Sequence, residues 1–292
     1  MELLRAHFVP VALDQAYERR EQDAWGEFYR AFAKQGPRAD MQATTQGFYV
    51  ATAAGELLLY NNNRNPEKLL RLLREARERF ASSEASRVEV APRPRGEREA
   101  RYAPRPPEGG LVLRVRSQVL GGYPEPTDEV QRAMQRSLGR DNLWLTRDEH
   151  AELARGAFPA SALERLARFH FVDNTRGEPP MWAKQEVRTL HARIVNGVIE
   201  GRFELATEKD AGEARRYHGE LRGRVEVRDG VVTRCDLVAL GGFRGEGRYT
   251  QHAPPGEFPF AVAFELADGQ ALADAIPPQG SRGWVDGYLR PR

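Results

Sequence analysis

Cysteine is almost missing: Cys235 is the only one among 292 residues. A single thiol cannot close an intramolecular disulfide, form a CxxC redox pair or build a cysteine-based zinc site. No run of about 18 apolar residues is present, so no segment has the length of a membrane-spanning helix, and no membrane partner is expected. Lysine is scarce and stands only at Lys34, Lys68, Lys184 and Lys209, with arginine supplying the other basic residues. The 44 basic residues face 42 acidic ones, for a net charge of +2. Nucleic-acid binding usually draws on a clustered basic surplus, so no nucleic-acid partner is expected. The opening Met1-Glu2-Leu3-Leu4-Arg5-Ala6-His7 has neither the basic start nor the apolar stretch of a secretory leader, and a cytoplasmic location is the default expectation.

The length suits one large domain or two ordinary ones. Residues 1–80 read as α/β. Phe8-Val9-Pro10-Val11-Ala12-Leu13 is a short apolar run with the character of a buried strand, in which Pro10 must take an edge, an end or a bulge. A helical pattern follows over about 16–34, carrying Ala24, Trp25, Phe28, Tyr29 and Phe32, and Gly36-Pro37 ends it. A strand over 46–52, a turn at Ala54-Gly55 and a return strand over 57–60 make a hairpin. Asn65-Pro66 opens a last helix with Leu69, Leu70, Leu72, Leu73 and Ala76, running to about Phe80.

Residues 81–109 hold five prolines, five glutamates and six arginines with hardly any large apolar side chain, the composition of a linker. From 110 to 292 the pattern is β-rich. Strands are expected over 111–120 and 143–145. Two capping boxes, Thr146 with Glu149 and Ser161 with Glu164, announce two short helices, the second carrying Leu163, Leu166, Ala167 and His170. Asn196-Gly197 joins strands over 187–195 and 198–205, Asp229-Gly230 joins strands over 220–227 and 231–240, and a final strand covers 258–266. The expected fold class is α+β. An N-terminal α/β module (1–80) and a linker (81–109) precede an antiparallel sheet, half-barrel or sandwich, with two short helices (110–292).

Phe8-Val9-Pro10-Val11-Ala12-Leu13-Asp14, Gln46-Gly47-Phe48-Tyr49-Val50, Gly55-Glu56-Leu57-Leu58 and the helix over about 66–80 together resemble the back part of the thioredoxin fold, over roughly a quarter of the chain. That family carries CxxC after its first core strand and a proline before the hairpin strand. Here there is no CxxC, and the matching stretch is Thr44-Thr45-Gln46. The resemblance therefore implies a degenerate, redox-inactive module for binding or packing, since thiol–disulfide exchange needs an attacking thiolate. The β-rich part resembles no family.

Candidate chemistry concentrates in His170-Phe171-Val172-Asp173-Asn174-Thr175-Arg176-Gly177-Glu178-Pro179-Pro180-Met181-Trp182. His170, near a helix C-terminus, with Asp173 or Glu178 to orient it, has the parts of an acid–base site. Asn174, Arg176 and Trp182 are the candidate ligand-binding residues. The competing reading is structural: Asp-Asn-Thr forms a turn, Arg176 pairs with Glu178 and Pro179-Pro180 stiffens the crossing into the sheet. The six histidines are scattered and form no metal motif; His191 and His218 are the one pair expected to share a sheet face. Gly241-Gly242-Phe243-Arg244-Gly245-Glu246-Gly247 is followed by no helix that would hold a phosphate, so it reads as a sheet connection. Cys235 reads as a buried thiol on the strand face of residues 231, 233, 235, 237 and 239. No cofactor is implied. Two functions remain: a redox-inactive binding protein for an unknown protein or small-molecule ligand, or a hydrolase or metal-assisted enzyme centred on 170–182.

Overall fold

The computed structural model describes residues 2–63, 65–84, 89–91, 104–207, 214–281 and 285–290. The chain divides into two compact units, Met1–Pro104 and Arg105–Arg292. Much of the expected linker, residues 85–88 and 92–103, lies outside the described residues.

The first unit runs α1 (Glu2–His7), α2 (Gln15–Glu18), α3 (Ala24–Ala33), β1 (Phe48–Ala51), β2 (Leu57–Asn61) and α4 (Pro66–Ser82). The helix expected over 16–34 is two helices. Asp14 caps α2 by accepting from the Ala16 amide, and Asp23 caps α3 by accepting from the Trp25 and Gly26 amides. A capping aspartate inside the pattern starts a new helix instead of continuing the old one. Gly26 permits the tight break, because a Cβ there would lie 2.1 Å from the Glu21 carbonyl oxygen. β1 and β2 pair antiparallel as expected, with Tyr49 opposite Tyr60. Pro66 opens α4, and Asn65 accepts from the Lys68 amide. Leu58, Leu59, Leu73 and Ala76 form one small core, and Tyr29, Phe32 and Ala33 form another. The strand expected over 8–13 is not formed: the segment is irregular and exposed, with Val9 89% and Val11 65% accessible.

The second unit is built on seven strands: β3 (Leu111–Val119), β4 (Gly139–Leu145), β5 (Val187–Val195), β6 (Val198–Ala206), β7 (Arg216–Arg228), β8 (Val231–Arg244) and β9 (Glu257–Leu266). They form one open antiparallel sheet in the order β4-β3-β9-β8-β7-β6-β5. The five later strands are a meander. Its turns fall at Asn196-Gly197 and Asp229-Gly230, where all four residues take positive φ (51° and 77° in each), the geometry of a two-residue hairpin turn. No second sheet packs on this one among the described residues, so it is not a sandwich. Helices cover the inner face instead: α6 (Arg147–Ala154), α7 (Ala160–Arg165), a π-helical turn (Leu166–His170) and α8 (Val285–Leu289), with α5 (Glu129–Gln135) as a further short helix. The expectation of two helices covers only α6 and α7; α5 and α8 fall outside it.

Alternation fixes the two faces. Ile199, Phe203, Leu205, Tyr217, Leu221, Leu237, Phe260, Val262 and Phe264 point into the core with Trp144, Trp182 and Phe171. Each large apolar side chain buried in this way contributes about 1.5–3 kcal/mol. The opposite face carries cross-strand ion pairs such as Arg193 with Glu200 and Arg216 with Glu204. His191 and His218 do share that outer face, with β6 between them, and His218 pairs with Glu257 at 3.1 Å. Gly241 and Gly242 are not a connection. β8 continues through them to Arg244, and a Cβ on Gly241 would lie 1.8 Å from the His218 carbonyl oxygen. Glycine is what lets β7 and β8 stay paired there.

Candidate functional site

The stretch 170–182 leaves the π-helical turn, crosses beneath the sheet and enters β5. The π turn widens the helix by one residue, so the Phe171 amide donates to the Leu166 carbonyl. The Arg168 carbonyl then accepts from the Trp182 amide, which ties the far end of the segment back to the turn. The indole N–H of Trp182 donates to the Phe171 carbonyl at 2.7 Å. Trp182 is 1% exposed, and the Arg215 guanidinium stacks on its ring at 4.2 Å.

His170 is buried, and its neighbours are not the carboxylates nearest in sequence. Nε2 lies 2.7 Å from the Tyr288 hydroxyl on α8, and Nδ1 lies 3.0 Å from Asp141 Oδ2 on β4. The Asp141 contact is at ion-pair distance but lacks hydrogen-bond geometry. Asp141 is itself held by the Asn142 and Gln279 amides, each donating to Oδ1 at 2.8 Å. The Phe264 and Tyr288 rings meet the imidazole edge-on. Burial pushes the Tyr288 hydroxyl well above the usual tyrosine range, so it stays protonated at neutral pH.

Asp173 serves a separate group. Its Oδ1 accepts from the Thr175 amide and hydroxyl, and Oδ2 stands 2.7 Å from the Arg176 guanidinium. Arg176 is 8% exposed. It donates to the carbonyls of Thr250 and Gln251 and, at 2.8 Å, to the Tyr123 hydroxyl. The local pairing expected between Arg176 and Glu178 is replaced by this one with Asp173. Asn174 packs its Oδ1 on the Ser117 hydroxyl of β3, and a Cβ on the facing Gly139 would strike that oxygen. Glu178 is exposed. The corner between Asp173, Arg176, Arg215, Glu246 and Thr250 has no room for a water molecule. The six sequence candidates thus divide between a histidine group, an aspartate–arginine group and separate positions; they do not converge on a cleft.

A second buried ion pair adjoins the histidine group and was not foreseen. The Arg165 guanidinium is bidentate on Glu149, 2.7 Å from Oε1 and 2.5 Å from Oε2, and also donates to the carbonyls of Trp144 and Leu289. Ser161 donates to Glu149 instead of capping its own helix; the N-cap of α7 is Pro159. Burial acts to lower Arg165 and to raise Glu149. The hydrogen bonds and charge between them win, so Arg165 sits above its ordinary value and Glu149 below. Glu149 was legible as the capping-box partner of Thr146, and that box is formed. Asp141, Arg165 and Tyr288 carry no local motif that would have marked them.

No group of three histidine, cysteine or acidic side chains among the described residues could hold a metal ion. An exposed groove of about 400 Å³ lies between the end of α6 and the β5–β6 turn, lined by Leu153, Ala154, Arg155, Ile194, Val225 and Val227 among others. It contains no acid–base pair. Cys235, Leu237 and Ala239 face the core as expected, but a register shift near Val227 turns Val232 inward and leaves Val231 and Thr233 exposed. Comparison with family models, with curated proteins and with solved structures finds no match.

Proposed function

We propose that the chain is a non-catalytic binding protein, with a first unit that is a redox-inactive, thioredoxin-like module. The observation that carries this reading is the enclosure of His170, Asp173 and Arg176. They are buried and committed to partners within the second unit, and the corner beside Asp173 and Arg176 leaves, among the described residues, no space for a substrate. A catalytic group must reach a reacting atom, and these reach only protein. The lone thiol supports the redox-inactive part: burial pushes Cys235 up to about 12, so almost no thiolate forms at neutral pH. The hairpin and α4 carry the thioredoxin resemblance; the irregular stretch 8–13 departs from it.

A second reading is a hydrolase or metal-assisted enzyme around 170–182. One observation favours it: a single imidazole stands between a carboxylate and a hydroxyl, with Nδ1 of His170 facing Asp141 and Nε2 2.7 Å from the Tyr288 hydroxyl. The two readings separate in one experiment. A panel of ester, phosphoester and peptide substrates, with and without added divalent zinc or manganese, is run on the wild type and on His170→Ala. The binding reading expects no turnover from either protein and a loss of stability in the variant. Turnover by the wild type that vanishes in a folded His170→Ala protein would establish the enzyme.

A further inference from the structure

We infer that residues 9–13 are an added strand for a second copy of this chain, pairing with the open edge of its β1. The segment has the composition of a strand and none of the pairing. Val9, Val11 and Leu13 are 89%, 65% and 42% exposed, in a stretch that belongs to no helix or strand. None of the amides of Val9, Val11, Ala12 and Leu13 donates to another described residue. Unpaired backbone beside β-branched and other apolar side chains is the usual material of strand addition.

The acceptor lies on the same unit. β1 and β2 make a two-stranded ribbon, which is marginal alone and gains from a third strand. β2 is largely buried, alongside α4, whereas β1 is partly open, with Phe48 47% exposed. Phe8 packs against the small core that includes Leu58 and Leu59, with Val50 of β1 also against it. This anchors the donor segment beside the ribbon. Donor segment and ribbon therefore belong to the same small core region of one unit, and a two-fold axis between two copies can make both contacts at once.

Pro10 fixes how the strand can pair. In an extended segment, Val9, Val11 and Leu13 offer their N–H and C=O groups to one side, and Pro10 and Ala12 to the other. Pro10 has no N–H, so only the valine side can join a ladder. The other side is blocked against a further strand, and the exchange closes as a dimer without growing into a fibre. Self-association of this kind does not depend on what else the protein binds.

Sedimentation equilibrium of the full chain tests the inference, with V9K/V11K as the variant. The expected result is a reversible dimer for the wild type and a monomer for V9K/V11K, with the far-UV circular dichroism and the melting temperature of the monomer retained because both valines are exposed. A mixture of V11C and F48C chains is further expected to give a disulfide-linked pair joining one of each. The native thiol is buried and does not compete. A wild type that stays monomeric at 100-fold above the working concentration overturns the inference. So does a dimer that V9K/V11K leaves intact, or a V11C/F48C chain that cross-links within one monomer.

Discussion

His170 and Tyr288 are 118 residues apart in sequence and 2.7 Å apart in the fold. Through this contact α8 is fastened to the π-helical turn beneath the sheet, and the ring of Tyr288 also lies under the Arg165 guanidinium at 5.5 Å. Removing the imidazole opens a buried space and takes one polar neighbour from Tyr288 and one from Asp141, whose Oδ1 keeps its two amides. His170→Ala is expected to lower stability by roughly 2–4 kcal/mol, the sum of a cavity and lost polar contacts. Tyr288→Phe removes one hydrogen bond and keeps the shape, so about 1 kcal/mol is expected. Urea unfolding of both proteins checks the order; a larger loss in Tyr288→Phe than in His170→Ala would contradict it.

The Asp173–Arg176 pair predicts a different asymmetry. Asp173→Ala leaves a guanidinium buried against Thr250, Gln251 and Tyr123 with no counter-charge, and about 3–5 kcal/mol of stability is expected to go. Replacing the charged pair together, as Asp173→Ala with Arg176→Met, is expected to recover a large part of that loss, since no unpaired charge remains. A double-mutant cycle on thermal unfolding measures the coupling. Additive losses would show that the two side chains act independently.

What could be read from the sequence was local. Each of the seven strands of the sheet overlaps a strand pattern in the sequence, four of them joined by the Asn-Gly and Asp-Gly turns, and the Thr146–Glu149 box marks the start of α6. These signals depend on neighbours within a few positions. The long-range partners did not show. Nothing near His170 points to Asp141 on β4 or Tyr288 on α8, because that meeting is set by how helices lie across a sheet. Ser161 and Glu164 match a capping box, yet the helix starts earlier, with Pro159 at its N-cap, so Ser161 lies inside α7 and its hydroxyl donates to the Glu149 carboxylate. The 8–13 run has strand composition and no strand, since a strand also needs a neighbour to pair with.

Cys235 gives a kinetic prediction. Its thiol is buried on β8 and pushed up to about 12 by burial, with Asp236 adding to the effect. Native protein at pH 8 is expected to resist thiol reagents, and reaction with Ellman's reagent should appear only in step with unfolding. Fast labelling of a fully folded sample would place the sulfur in a more open site than its 2% exposure allows.

Glu149 and Arg165 set the acid limit of the second unit. Burial raises the Glu149 carboxyl, but the Arg165 hydrogen bonds and charge overcome it, and the group titrates below its ordinary 4.5 when folded. A depressed carboxylate contributes stability that is complete above the unfolded value and is lost as pH falls through the folded one. At neutral pH, Glu149→Gln is expected to cost about 3 kcal/mol, because it leaves Arg165 buried without a counter-charge. As pH falls below 4.5 and on through the lower folded value, the wild-type side chain becomes protonated and neutral like the glutamine, so the gap between the two proteins should close. Urea midpoints of wild type and Glu149→Gln, taken in steps from neutral pH to about pH 3, follow that gap. A difference that stays constant over the whole range would mean that the charge of Glu149 is not what holds Arg165 in the core.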